Sequence, residues 1–465
     1  MIVSIALDLG TTSIKAGLLI QGGALSNIVV CPAPNITVND GRYESNALDY
    51  AVLADQVLDE CLAQANGCTT FGLCSQRSSF LIWEQSSGKP ITPLISWQDN
   101  RGVTSCEALQ KHQNLIRMLS GLPLTPYYFA PKLRSLLLEN ADWLARLIGG
   151  ELLVGTLDTF LIWRWTGGKH HLTDASMAAR TLLMDTRLQQ WSPKLCNLFG
   201  IPVQILPQIQ SSTGMNISMD NGLTLTASVG DQSAALYASV MEEDGEALAN
   251  LGTGCFVVRY LPEKKFLTGQ AASSGYLHTL IYQDSQQHPH FAIEGTLNSI
   301  AAALAPYSVE ECRFGDLGAD DIFCIAEPSG LGAPYFRSDL GIRFSQSVEH
   351  LSQQRIACLL LEAVIFRVVK ILEDFHREFP IERVYLSGGL SELTCLQQGI
   401  ACCAPFDVYR LEQTESSLQG AVLLAAGMAP AHSRACEKIS TPHDASVVFK
   451  KYQHWEKWLA KLLDS

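Results

Sequence analysis

The first twenty residues change between apolar and polar character in a way that predicts a hairpin. Residues 2–7 and 14–20 are apolar, strand-like runs. Between them lies a polar turn, Asp8-Leu9-Gly10-Thr11-Thr12-Ser13. Two apolar runs joined by turn residues are typical of a β-hairpin. We therefore expect the chain to open with two antiparallel strands and a polar tip.

Helical spacing and strand-like runs alternate through the rest of the chain. Apolar residues recur at helical spacing over 48–64 and 132–147, which predicts an amphipathic helix in each region. A long apolar helix is predicted over 355–379, followed by a strand over 383–386. The pattern of 449–463 predicts a final helix whose aromatic side chains pack on the second half. This mixture of elements favours an α/β protein.

The opening pattern occurs a second time about 240 residues later. The run 247–251 leads into the turn Gly252-Thr253-Gly254-Cys255, and 256–260 resumes as a strand. The segments ALDLGTTSIK and ANLGTGCFVV thus have the same strand, polar turn and strand. Repetition of one unit indicates two homologous halves, which we expect to face each other across a cleft. We place the two domains at 1–227 and 228–465.

Composition narrows the classes of partner. The chain has 465 residues, of which 47% are apolar and 17% charged, as in a globular protein of two or more domains. A net charge of −13 without a Lys/Arg cluster disfavours a nucleic-acid partner. No apolar run approaches the length of a membrane span, and the first residues resemble a strand and not a signal peptide. Fourteen scattered cysteines indicate reduced thiols and a cytoplasmic protein.

The opening turn has the chemistry of a phosphate site. Gly10 permits close approach of the backbone, and successive N–H groups in such a turn form an anion-binding concavity. Asp8 is suited to hold a hydrated Mg²⁺ near the phosphates. The further side chains that offer donors or charge here are Thr11, Thr12, Ser13 and Lys15. The simpler interpretation is a polar hairpin in which the Asp and Thr side chains only cap the turn. The second turn, 252–254, favours a phosphate clamp with two sides.

Two more residues have both a structural and a functional interpretation. In SVGDQSAAL, Asp231 is expected at a helix N-terminus, where an Asp is usually an N-cap. In CSQRSSFLIW, Arg77 precedes an apolar strand and either reaches solvent or holds a ligand in a cleft.

Together these segments resemble the FGGY family of carbohydrate kinases, and among its members glycerol kinases most closely. The similar stretches run in order along nearly the whole chain and are ALDLGTTSIKA (6–16), SQR…IWE (75–84), SWQDNR (96–101), PYYFAPK (126–132), GTLDTFLIW (155–163), TDASMAARTLL (173–183), GDQSAAL (230–236), GTGCF (252–256), GLGAPYF (330–336) and LSGGLSE (386–392).

The resemblance implies two ribonuclease-H-like domains of the actin and sugar-kinase ATPase superfamily, with ATP and substrate meeting in the cleft between them. It implies that Asp231 is the catalytic base and that Asp8 and Asp231 flank the Mg²⁺. The implied ATP-binding residues are Thr11, Thr12, Ser13, Lys15, Gly252, Thr253, Gly388 and Gly389. The implied substrate-binding residues are Arg77, Ser78, Trp97, Tyr127, Asp231, Gln232 and Phe256. The expected partner is a small polyol or sugar, and the family suggests a homo-oligomer.

The sequence departs from the family pattern at several positions. Glycerol kinases have Glu directly after the Arg, whereas this chain has Ser78. Serine is short and neutral, so a longer polyol, a ketose or an acidic sugar is an alternative acceptor to glycerol. Ala301 and Leu393 stand where glycerol kinases have a Gly and an Asn near the nucleotide. A chaperone-like or actin-like ATPase and a catalytically silent sensor are the alternatives to a kinase.

Overall fold

The computed structural model of the protein describes residues 1–242, 245–263, 275–413, 415–430, 435–441 and 445–464. The strands of the first half are β1 (Ile2–Leu9), β2 (Ser13–Ile20), β3 (Leu25–Pro32), β4 (Thr37–Asn39), β5 (Arg42–Ser45), β6 (Thr70–Ser75), β7 (Phe80–Glu84), β8 (Leu94–Ile95), β9 (Leu152–Thr156), β10 (Leu172–Asp174), β11 (Met184–Asp185), β12 (Gln190–Trp191), β13 (Gln208–Gln210), β14 (Thr213–Ser218) and β15 (Thr224–Gly230). The strands of the second half are β16 (Glu246–Leu251), β17 (Cys255–Leu261), β18 (Leu277–Gln283), β19 (Pro289–Leu297), β20 (Cys324–Ile325), β21 (Arg343–Phe344), β22 (Arg383–Ser387), β23 (Asp407–Leu411) and β24 (Cys436–Lys438).

The helices lie between and beside these strands. In the first half they are α1 (Ala47–Leu62), α2 (Val103–Leu109), α3 (Gln113–Ser120), α4 (Phe129–Glu139), α5 (Trp143–Ile148), α6 (Leu157–Trp165), α7 (Ala175–Ala178) and α8 (Pro193–Phe199). In the second half they are α9 (Asp231–Ser239), α10 (Ile300–Leu304), α11 (Gln353–Glu378), α12 (Thr394–Cys403), α13 (Ser416–Ala426) and α14 (Ala445–Leu463).

Each half has a central sheet built on the same plan. The first has the order β14-β15-β6-β1-β2-β3, and the second β18-β19-β17-β16-β22-β23-β24. In both, an antiparallel hairpin (β1–β2 or β16–β17) pairs through its first strand with a parallel strand (β6 or β22). The predicted repeat is therefore present in the fold, and its polar turns lie at equivalent ends of the two sheets.

Two helices of the second half lie between the sheets. Helix α13 covers one face of the first sheet. Its neighbour α9 packs on the second sheet through Leu236, and Val240, which directly follows α9, belongs to the same apolar cluster. The two helices approach so closely that a Cβ on Gly420 would lie 1.9 Å from the carbonyl oxygen of Ala234. The predicted boundary between 227 and 228 falls within β15, all of which belongs to the first sheet. That boundary stays a prediction.

Most of the predicted elements are confirmed. The opening hairpin, the first helix and the long helix of the second half lie where the pattern indicated. The final helix also packs as expected, because Trp455 is fully buried against Phe366 of α11. The single helix predicted over 132–147 is wrong: the chain leaves helical geometry at Asn140 and forms α4 and α5 instead. The Asn140 side-chain amide donates to the Leu136 carbonyl, which ends α4.

The predictions about the cysteines and about membrane spans can be compared with the structure. All fourteen cysteines are free thiols, as their scattered positions indicated. Within the described ranges, none of the helices has the length and apolar character that crossing a membrane requires. The cytoplasmic location and the homo-oligomer stay predictions.

Candidate active site

Asp8 lies at the end of β1, directly opposite Lys15 of β2. The tip of this hairpin closes through a hydrogen bond of 3.0 Å from the Gly10 N–H to the Ser13 carbonyl. Burial, and then the negative charge of Asp231, raises the pKa of Asp8 from 3.8 to about 7. The Asp8 Oδ1 atom is buried and has no hydrogen-bond partner. Such a carboxylate is costly unless a cation or a donor joins it.

Lys15 is held by an ion pair from the far end of the chain. Its ammonium donates to Glu415, which immediately precedes α13, and both side chains are partly exposed. Lys15 belongs to the second strand of the hairpin, and its predicted contact with phosphate stays a prediction. The partner Glu415 was not foreseen. The pair links β2 of the first sheet to the start of the helix that covers this sheet.

Gln76 joins the hairpin tip to the segment that carries Arg77. Its side-chain amide nitrogen donates to the Gly10 carbonyl at 3.3 Å, and its Oε1 accepts from Ser79 at 2.8 Å. The Ser79 hydroxyl in turn accepts the Trp97 N–H at 3.0 Å. These contacts bring the predicted phosphate turn and the predicted substrate residues into one network.

Trp97 and Tyr127 form an aromatic wall beside this network. Their ring centroids are 5.3 Å apart, and the Trp97 Nε1 donates to the Thr11 hydroxyl at 2.9 Å. Burial raises the pKa of Tyr127, and the charges of Arg77, Arg180, Asp231 and Glu294 also act on it. Tyr127 is therefore within electrostatic range of four charged groups.

Arg77 is buried and faces Asp231. Its side chain is 3% exposed, and its Nε lies 3.6 Å from the Asp231 Oδ1. Gly230 makes room for the stem, because a Cβ there would lie 2.9 Å from the Arg77 Cγ and Cδ. Arg77 therefore does not reach solvent, as one of the two interpretations of the sequence had it, and its predicted contact with a ligand stays a prediction.

Asp231 is the first residue of α9, directly after the end of β15. Its Oδ1 accepts the Gln232 N–H at 2.7 Å. Burial raises the pKa of Asp231, and the nearby Arg77 guanidinium opposes that rise. The Asp therefore lies at a helix start without occupying the N-cap position, which belongs to Gly230.

Two buried charges complete this cluster and were missed from the sequence. Arg180 donates to both carboxylate oxygens of Glu294, at 3.4 and 3.5 Å, and Glu294 also lies 3.9 Å from the Arg77 Nη1. Glu294 belongs to β19, so the second half contributes a carboxylate to residues of the first. The available signal was a charged residue inside each of two apolar stretches, SMAARTLL and FAIEGTL.

Ser78 has an unusual backbone. Its φ is +64°, and its buried hydroxyl donates to the Arg180 carbonyl at 3.0 Å. The hydroxyl thus holds the segment that carries Arg180, and its predicted contact with substrate stays a prediction.

The predicted nucleotide residues of the second half lie together. Gly388 has a φ of +86°, and a Cβ there would lie 2.5 Å from the Leu251 carbonyl oxygen. The turn at 388–389 is therefore pressed against the end of β16, next to Gly252. A Cβ on Gly389 would meet nothing within 4 Å, so this side of the turn is open. The Thr253 carbonyl accepts the Ala301 N–H at 3.1 Å.

The remaining predicted residues lie around these two groups. Gln232 accepts from the Asn250 side chain at 3.5 Å, which connects α9 to the end of β16. Phe256 packs against the apolar cluster between α9 and the second sheet. Thr12 is exposed at the hairpin tip, and its carbonyl accepts the Ala33 N–H.

Comparison with known proteins agrees with this arrangement. Residues 3–228 match the model of the FGGY family of carbohydrate kinases, N-terminal domain, and 247–429 match that of the C-terminal domain. The glycerol kinase of Acinetobacter baylyi is 30% identical over 90% of this chain and 89% of its own length. The apulose kinase of Pectobacterium atrosepticum is 29% identical over 99% and 98%.

The fold is similar to that of solved kinases. The crystal structure of Plasmodium falciparum glycerol kinase with ADP superposes with a TM-score of 0.82, at 21% identity, over 99% of this chain and 98% of that one. The predicted α/β fold with two ribonuclease-H-like domains is confirmed. The chain therefore belongs to the FGGY family of carbohydrate kinases, enzymes that phosphorylate a polyol or a sugar at the expense of ATP.

Proposed function

We propose that this chain transfers the γ-phosphoryl group of ATP to a hydroxyl group of a small, uncharged polyol or sugar, with Asp231 as the general base. One observation carries the proposal. Asp231 lies within electrostatic reach of Asp8 on the phosphate side and 3.6 Å from Arg77 on the acceptor side. The Asp231 carboxylate thus lies between these two groups. An acceptor hydroxyl must bind in this region to be phosphorylated.

Asp231 is suited to accept the proton. Its Oδ1 is engaged by the Gln232 N–H and faces Arg77, which leaves Oδ2 for the acceptor hydroxyl. The acceptor oxygen forms a bond to the γ-phosphorus, the bond to the bridging oxygen of ADP breaks, and the acceptor proton moves to Asp231. Because the transition state is loose, the base orients the hydroxyl early and accepts its proton late.

The phosphate side fits a magnesium ion. Asp8 is a buried carboxylate with an unpartnered oxygen, and Asp231 is close enough to raise its pKa. Mg²⁺ is usually bound through one or two carboxylates, with water and phosphate oxygens as further ligands. When bound, Mg²⁺ would offset negative charge on the phosphates.

The other phosphate contacts come from both halves. On the first hairpin, backbone N–H groups and the side chains of Thr11, Thr12, Ser13 and Lys15 are proposed to contact phosphate. On the second, Gly252 and Thr253 do so, and the open face of Gly389 receives the adenosine beside Gly388. In-line positioning between these two turns supplies most of the catalysis, because phosphoryl transfer needs little covalent assistance.

The charge balance of the acceptor pocket favours an uncharged substrate. Two guanidinium groups, of Arg77 and Arg180, are matched by two carboxylates, of Asp231 and Glu294. An acidic sugar would find no unpaired cation here, and its carboxylate would be repelled by the two already buried. The relatives named for glycerol and apulose support a polyol or sugar acceptor. The remaining pocket residues are proposed to be Ser78, Trp97, Tyr127, Gln232 and Phe256.

An assay of ADP release with a panel of acceptors tests the proposal. The panel contains glycerol, longer polyols, ketoses and sugar acids, each with ATP and Mg²⁺. We expect ADP release that depends on an uncharged acceptor. A preference for sugar acids would contradict the charge argument. Acceptor-independent turnover would indicate an ATPase, and the absence of turnover would indicate a silent protein.

A further inference from the structure

A fully buried lysine lies behind the proposed acceptor pocket. Lys132, in α4, is 0% exposed. Its Nζ donates to the Ser78 carbonyl at 3.1 Å and to the Ser96 carbonyl at 2.8 Å. A lysine buried this completely is rare unless its nitrogen is satisfied. Here both acceptors are backbone carbonyls, so the lysine does not neutralise a carboxylate through direct contact.

The two carbonyls belong to the two segments that carry pocket residues. Ser78 directly follows Arg77, and Ser96 directly precedes Trp97. These segments are eighteen residues apart in the chain and are also joined by the bond from the Trp97 N–H to the Ser79 hydroxyl. Lys132 is a second link between them, made from a rigid helix.

We infer that Lys132 is a positioning residue for the acceptor pocket, which acts by fixing the Arg77–Ser78 and Ser96–Trp97 segments relative to each other. This inference rests on the proposed function, because it assigns both segments to the acceptor. Lys132 does not itself face the acceptor, since both of its contacts are to the backbone behind the pocket.

The strained backbone at Ser78 explains why such a link is useful. A φ of +64° is unfavourable for a residue with a side chain and persists only where the surroundings fix it. The Lys132 bond holds the carbonyl of this residue, and the Ser78 hydroxyl is held by the Arg180 carbonyl. Without Lys132, Ser78 can relax, and the adjacent Arg77 moves with it.

The link does not depend on the charge of the lysine. Burial lowers the pKa of Lys132 to about 7, while Asp99 acts to raise it and Arg101 to lower it. A neutral amine still has two N–H groups, one for each carbonyl. The site therefore needs a long side chain with two hydrogen-bond donors at its end. A methionine side chain is similar to lysine in length but has no hydrogen-bond donor.

The test compares Lys132→Met with Lys451→Met as a matched control. Lys451 is also a buried lysine, but it bonds to Asp320 and Glu362 in the second half. For each protein we would measure KM for the best acceptor, KM for ATP, and the hydrogen exchange of peptides covering 76–80 and 95–99.

We expect Lys132→Met to raise the acceptor KM about tenfold or more, to leave the KM for ATP within about twofold, and to speed exchange in both peptides. Lys451→Met is expected to lower thermal stability without changing either KM or the exchange of these peptides. An equal rise in both KM values, or an unchanged acceptor KM with unchanged exchange, would overturn the inference.

A second variant and the exchange measurement cover two other outcomes, a Lys132→Met protein that does not fold and a wild type without activity. If Lys132→Met does not fold, Lys132→Gln retains two N–H donors on a shorter side chain, and we expect it to show the same split between the two KM values at smaller amplitude. An unchanged acceptor KM and exchange in that variant would equally count against the role. If wild type phosphorylates no acceptor, the proposed function fails, but hydrogen exchange still reports whether Lys132 fixes the two segments.

Discussion

Replacing Asp8 with Asn should stabilise the metal-free protein while removing its response to magnesium. In the folded chain the Asp8 carboxylate is buried, lies near the negative charge of Asp231, and has one unpartnered oxygen. These features disfavour its ionised form. The amide of Asn is neutral at every relevant pH, so Asp8→Asn removes the cost of burying the charge.

The size of the effect follows from the pKa of Asp8, which is raised from 3.8 to about 7. A raised acid pKa means that stability is lost as the pH rises from about 4 to about 7. At pH 8 the full shift of about three units applies, or roughly 4 kcal/mol at 1.36 kcal/mol per unit. At pH 5 the folded carboxyl keeps its proton. The destabilisation by Asp8 is then set by the interval between pH 5 and the ordinary pKa of 3.8, and amounts to about 1.6 kcal/mol.

Thermal unfolding in EDTA measures this difference. We expect the Tm gain of Asp8→Asn over wild type to be larger at pH 8 than at pH 5, by the equivalent of about 2 to 3 kcal/mol. Any pH-independent effect of the amide cancels in this comparison. Asp49→Asn, at an exposed carboxylate of α1, serves as the control and should show no such difference. A gain that is the same at both pH values, or smaller at pH 8, would show that the pKa of Asp8 is not raised in the folded protein.

Two further predictions concern the nucleotide. Glu415→Gln removes a negative charge and the ion pair of Lys15, so we expect the KM for ATP to fall about threefold; a rise would show that Glu415 assists nucleotide binding. Gly388→Ala places a Cβ 2.5 Å from the Leu251 carbonyl and should raise the KM for ATP about tenfold or more, since the adjoining turn must shift. Gly427→Ala, also at positive φ but in open space, should cost about 1 kcal/mol of stability without changing that KM.

The pattern of apolar and polar residues over short stretches was enough to predict those parts of the site that are formed by consecutive residues. The hairpin around Asp8 follows from two apolar runs and a polar turn, and the helix that starts at Asp231 follows from a small-residue run after Gly230. The equivalence of the turns at 8–13 and 252–254 could be read from repetition alone. The hairpin and the helix depend on residues that are neighbours in the chain, and the equivalence of the turns depends on a local pattern that occurs twice.

The contacts that sequence reasoning missed are made between distant residues. Arg180 and Glu294 are 114 residues apart, and Lys15 and Glu415 are 400 apart. Neither periodicity nor composition indicates which charges meet across such distances, because the pairing depends on how the two sheets and α13 pack. The break between α4 and α5 was missed for a different reason: apolar spacing continues across Asn140, while its side chain ends the helix locally.

The variant Asp231→Asn tests whether Asp231 accepts the proton of an uncharged acceptor. The measurement is kcat for acceptor-dependent ADP release, together with ATP binding measured by titration calorimetry. We expect ATP binding within a few-fold of wild type and a kcat reduced roughly a hundredfold or more, as removal of a general base typically produces. Retention of more than about a tenth of the wild-type kcat would contradict the assignment of Asp231 as the base.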